Sequence, residues 1–184
     1  MLGIARAVLA LVALAACGDS GEGAAEDAGA SFIALASDFE GFQGWPFVEL
    51  GALDGTRGHD MGVSRVHLRG IVPAVDVQFA VGTMIVKVTE IGAAPPEWEV
   101  HAMVKRGGGY NGDGAPGWEW FDLALTADGA PVIAWRGEGS ASDPGSYGGL
   151  DTDAGPDAQT CNGCHGAVVN DDYVFTHAEL GRLD

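Results

Sequence analysis

Glu97-Trp98-Glu99-Val100-His101-Ala102-Met103-Val104-Lys105 alternates apolar and polar residues almost without a break. A period of two is the mark of a β-strand with one face on a core. It predicts Trp98, Val100, Ala102 and Val104 on one face, with Glu99, His101, Met103 and Lys105 on the other. A lone strand is not stable in water, and the chain supplies partners on both sides. Met84–Ile91 is rich in β-branched residues and closes at Gly92 and the Pro95-Pro96 pair. Phe47–Leu50, Val63–Arg69, Trp118–Leu125 and Pro131–Trp135 read as further strands. Turns fall at Gly51–Gly62, Gly107-Gly108-Gly109 and Asp128-Gly129. Two stretches read as short helices. One is N-terminal, over Phe32–Leu35 and Phe39–Phe42; the other is Val72–Val81, where Pro73 suits a first helical position.

The N-terminal residues read as export machinery rather than as domain. Arg6 precedes the apolar run Ala7–Ala16, the layout of a signal peptide over residues 1–16. The run falls short of the roughly 20 apolar residues that span a bilayer as a helix. Leu14-Ala15-Ala16-Cys17 resembles a lipobox, so Cys17 is expected to carry lipid and to anchor the chain without spanning the membrane. Gly18 in place of an aspartate points to the outer membrane, with the chain facing the periplasm. Residues 17–30 hold no large apolar side chain and read as a flexible acidic tether. The folded domain is expected over residues 31–184.

The chain carries 26 acidic against 9 basic residues, a net charge of −17. Binding to nucleic acid is opposed by that balance, because affinity for phosphate backbones comes from Lys and Arg. A basic redox partner protein is compatible with it, and so is a simple role in solubility. Residues 136–160 form a long loop rich in Gly, Ser, Asp and Pro. Its alternating carboxylates at Asp151, Asp153 and Asp157 suit a hard cation, but a solvated acidic loop is the better reading.

Near the C-terminus stands Cys161-Asn162-Gly163-Cys164-His165. Two thiols three positions apart, with an imidazole after the second, have the spacing of covalent haem attachment. Cys161 and Cys164 would bind the haem, and His165 would be the axial ligand of its iron. With Cys17 lipidated, no pair of the three cysteines is left for a structural disulfide. A zinc site would need a fourth ligand. A dithiol redox pair normally opens a helix after a βαβ-type strand, and here an Asp/Gly/Pro loop precedes it. No methionine follows Cys164, unlike small cytochromes with a downstream Met ligand.

The order of further segments resembles the cytochrome P-460 family and its relatives, the beta-type cytochromes c-prime. The matching pieces are Gly82–Glu90, Ala102–Arg106, Gly117–Asp122, and the haem segment followed by Asp172-Tyr173-Val174-Phe175-Thr176. The resemblance covers about Asp38 to Leu180. It implies an α+β fold: an antiparallel β-sheet with a few short helices packed around one covalently attached c-type haem, with His165 proximal. The hydroxylamine-oxidising members carry a lysine cross-linked to the haem. The corresponding stretch here, Pro73–Phe79, holds no lysine, and Lys87 and Lys105 fall in segments where that cross-link does not arise. The resemblance therefore favours the relatives that bind small gases such as nitric oxide. Distal-side candidates are His101, Phe79 and Phe47; His59, His67, His177, Met61, Met84 and Met103 have weaker claims.

The sequence thus leads to a lipid-anchored c-type haem protein that binds or redox-converts small nitrogen or oxygen species. The alternatives are a six-coordinate electron-transfer cytochrome without catalysis and a zinc-stabilised binding module.

Overall fold

The computed structural model describes residues 29–54, 61–139 and 160–183. The expected signal peptide, Cys17, most of the tether, His59 and the acidic loop Asp151–Asp157 lie outside them.

Six strands follow one another in sequence and in space: β1 (Phe47–Asp54), β2 (Met61–Arg69), β3 (Met84–Glu90), β4 (Glu99–Lys105), β5 (Trp118–Leu125) and β6 (Pro131–Gly137). Each pairs antiparallel with its sequence neighbour, giving the order β1-β2-β3-β4-β5-β6. In the register of the central pairs, Lys87 lies opposite His101 and His101 opposite Asp122. Two bulges interrupt the ladder. One lies between Glu49 and Gly51, where Gly51 takes φ +74°, and the other between Asp122 and Leu123. The strands alternate as their period demands, and the sheet is buried on both faces.

The first face carries the stripe that the alternation predicts. Val100, Ala102 and Val104 of β4 join Met84 and Val86 of β3 and Phe121 and Leu123 of β5, and Trp98 packs against them. Phe39 and Phe42 cover this face with no exposed surface, each contributing about 1.5–3 kcal/mol by burial. They belong to two 3-10 turns, Ala36–Phe39 and Phe42–Gly44. The opposite face holds Val66, Leu68, Ile85, Met103, Trp118 and Trp120. Over it lies the C-terminal segment: α1 (Cys161–His165), a 3-10 stretch at Gly166–Asp171, and α2 (His177–Leu180).

The expected α+β class is corrected by these elements. The described residues are dominated by one six-stranded antiparallel sheet, and the two α-helices hold five and four residues. Neither helix expected upstream of the motif forms. Between Phe32 and Phe42 the chain makes 3-10 turns broken at Gly41, φ +70°; a three-residue spacing brings Phe39 and Phe42 to the same face. Across Val72–Val81 the chain is irregular, with Asp76 at φ 64°. Val75 and Val77 are exposed there, so a helix would gain no apolar face to offset the low propensity of β-branched residues. Nor do helices surround a central group. The apolar side chains gather in two clusters, one on each side of the sheet. No helix among the described residues is long and apolar enough to cross a membrane.

Candidate functional site

The Cys-x-x-Cys-His segment is helical for one turn only. Thr160 caps it, its Oγ1 accepting from the backbone N–H of Gly163 at 2.9 Å. A helix this short has little stability of its own, so its position depends on what ties it to the sheet.

Asn162 supplies the first tie. Its Oδ1 accepts from the indole N–H of Trp120 and from Nδ2 of Asn111, both at 2.9 Å, and its own Nδ2 donates to Asn111 Oδ1 at 2.8 Å. Asn111 is buried with φ 53°, and its Nδ2 also donates to the carbonyls of Trp118 and Glu138. Asparagine tolerates that left-handed conformation better than most residues. The contact is close. A Cβ on Gly139 (φ +65°) would sit 2.6 Å from both Cys161 Cβ and Trp120 Cδ1, and one on Gly114 would collide with the Asn162 amide.

His165 supplies the second tie. Its Nδ1 lies 2.6 Å from the Tyr173 carbonyl. A carbonyl oxygen can only accept, so Nδ1 carries a proton, and in the neutral ring the lone pair is on Nε2. The imidazole rests between Trp120 and Phe175, with centroids 4.6 and 5.0 Å away. Tyr173 follows Asp172, and both are left-handed, with φ 66° and 50°. Asp172 is buried. Its carboxylate accepts from Lys105 Nζ and from the backbone N–H of Phe79, each at 2.8 Å, and its carbonyl accepts from the Trp118 indole at 2.8 Å. Burial pulls Lys105 below the usual lysine range, with the Asp172 carboxylate opposing.

Beside the motif the same sheet face becomes polar. Lys87 and His101 project from adjacent strands, and His101 Nε2 stands 2.8 Å from the Glu99 carboxylate. Burial pulls Lys87 down to about 8, against the raising influence of Glu99 and of Cys164. Lys87 is therefore a neighbour of the motif, which its place in a β-branched strand did not suggest.

The distal candidates separate. His101 shares the motif's face. Phe79 is 2% exposed and packs edge-on to Trp118 and His177, in the core beneath the Asp172 turn. Phe47 opens β1 opposite His67, on the first face, and is 44% exposed. His67 and Met84 are likewise packed with the first face, whereas Met103 is buried on the motif's face. The side chain of Met61 lies outside the described residues. Sequence reasoning missed Trp120, Asn111, Asn162, Gly139, Lys87, Lys105 and Asp172 as parts of the site. An asparagine inside a glycine-rich loop and a lysine amid valines were the signals present.

This donor set fits a covalently held haem. Cys161 and Cys164 are three residues apart on one helical turn, and the neighbouring imidazole has its tautomer set by a backbone acceptor, as iron-ligating histidines require. Among the described residues no group of three or more His, Cys, Asp and Glu is gathered to hold a bare metal ion. No family model, curated protein or solved structure matches the chain.

Proposed function

We propose that this chain is a c-type haem protein, related to cytochrome P-460 and the beta-type cytochromes c-prime. It binds or redox-converts small nitrogen or oxygen species such as nitric oxide at a His165-ligated iron. The observation that carries the reading is the 2.6 Å contact from His165 Nδ1 to the Tyr173 carbonyl. It puts the lone pair on Nε2, the nitrogen an axial ligand uses, and makes the imidazole a stronger donor. Bound there, a haem would supply an iron with one protein ligand and a redox couple tuned by that ligand.

The chain's own residues do the rest. Cys161 and Cys164 hold the group by thioether bonds, and Asn162, Trp120 and Asn111 keep the two thiols seated on the sheet. Trp120 and Phe175 flank the imidazole and limit its rotation. On the adjoining polar part of the sheet, Lys87 and the His101–Glu99 pair are groups able to hold or hand on a proton. Export behind a Met1–Ala16 signal and lipidation at Cys17 would suit covalent haem attachment and a periplasm-facing anchor in the outer membrane.

The test is direct. Protein purified from cells competent for cytochrome c maturation should keep its haem absorbance through acid–acetone extraction, and Cys161→Ala with Cys164→Ala should lose it. Reduced protein should then bind nitric oxide or carbon monoxide. Covalent haem with no ligand binding would make the protein an electron carrier, and extractable or absent haem would end the reading.

A further inference from the structure

Lys105 and Asp172 form an ion pair at 2.8 Å with side chains 3% and 4% exposed. Two charges this deep are weak evidence for stability, since well-packed apolar residues often serve as well. Their other partners indicate a different use. Lys105 Nζ also donates to the Pro116 carbonyl at 3.0 Å, while Asp172 accepts from the Phe79 N–H and, through its backbone, from the Trp118 indole. The Lys105, Phe79 and Trp118 contacts converge on one left-handed residue, Asp172, and the residue after it is left-handed too. An aspartate tolerates that conformation better than most residues but a tyrosine does not, and such strain persists only where the surroundings over-determine it. What the strained turn accomplishes is to aim the Tyr173 carbonyl at His165 Nδ1.

We propose that Lys105 is a positioning residue for His165: its ion pair with Asp172 holds the left-handed turn that presents the Tyr173 carbonyl, and so sets the tautomer and plane of the imidazole. The geometry stands by itself; its consequence for iron chemistry rests on the haem reading above.

The test uses the full chain with Lys105→Met, with the double variant Lys105→Met/Asp172→Asn, and with Arg136→Met as a control. Arg136 pairs with buried Glu119, so its loss weakens the fold away from His165. Asn suits the left-handed site, and the double variant leaves no unpaired buried charge, so it keeps the comparison open if the single variant fails to fold. In reduced haem-loaded protein the iron–histidine stretch should fall in frequency in both Lys105 variants and stay in place in the control. An unchanged stretch in a folded Lys105 variant overturns the proposal. Failure of both variants to fold also overturns it, because the pair would then be holding the core and not the imidazole. If the chain carries no covalent haem, the functional reading fails separately. Imidazole nitrogen-15 shifts of His165 then decide the positioning role. The single Nδ1–H tautomer of the parent should become a mixture in the variants, and identical tautomers would overturn it.

Discussion

Asn111 and Asn162, 51 residues apart, are joined amide to amide, each Nδ2 donating to the other's Oδ1. The second residue of the Cys-x-x-Cys-His segment is thereby bound to a glycine-rich loop of the sheet. The two hydrogens of Asn111 Nδ2 are shared among three acceptors, Asn162, Trp118 and Glu138. That makes Asn111 the hub between the loop, two strand ends and the motif.

Replacing Asn111 with alanine should therefore lower unfolding stability by about 2–3 kcal/mol, the cost of stranding buried acceptors and the Asn162 amide. A glycine at the same position removes the same bonds but accepts φ 53° freely. Asn111→Gly should be the milder change by about 1 kcal/mol. Chemical denaturation of both variants checks the difference, and equal losses would mean that the backbone conformation contributes nothing.

Gly139 predicts a loss of cofactor attachment rather than of fold. A methyl group there meets Cys161 and Trp120 at 2.6 Å, so Gly139→Ala should displace α1 and cut the yield of covalent haem several-fold. Gly129, at φ +82° with only the Gln43 amide at 3.6 Å, provides the comparison. Gly129→Ala should cost about 1 kcal/mol of backbone strain and leave the yield unchanged. Haem-to-protein absorbance ratios separate the two.

Lys87 predicts a rise in stability with alkali. Burial lowers it from the ordinary lysine value to about 8, so between pH 8 and 10.5 the unfolded chain binds more protons than the folded one. Stability should climb through that window at no more than about 1.4 kcal/mol per pH unit. Below pH 8 the lysine is charged in both states and its burial is a constant penalty, so Lys87→Met should stabilise the protein at neutral pH and flatten the climb. Denaturation series from pH 7 to 10.5 would reveal it.

The strands were legible because a two-residue period and its Gly and Pro boundaries are local signals. Trp118–Leu125 agrees end to end, and β2 differs from its reading only by two residues at its start. The helices were misread because Val72–Val81 has a suitable length and a suitable proline but no apolar partner to lie on, and partnership is not written in a segment's own residues. The same limit applies at the site. Cys161, Cys164 and His165 are adjacent and were visible at once. Their supports sit 42 to 67 residues away, on β4, β5 and the loop between them, and only the closed fold brings them together. Lys87 was read as one more strand residue, although a charge amid Val86 and Val88 is itself a sign of a special environment.

The strictly sequential order of the six strands has a consequence for the history of the chain. Every strand can add to its immediate predecessor, so all pairings of the sheet are between sequence neighbours and it is expected to form early. The motif-bearing segment has no such shortcut: its ties to Asn111, Lys105 and Phe79 span 51, 67 and 93 residues. Its docking should be the last event, giving Tyr173 and Asn162 φ-values near zero while β3 and β4 score high. During that interval a finished sheet carries an undocked Cys161–His165, open to a modifying enzyme. Assembly in that order would leave Cys161 and Cys164 accessible until the Asp172–Tyr173 turn meets Lys105 and His165.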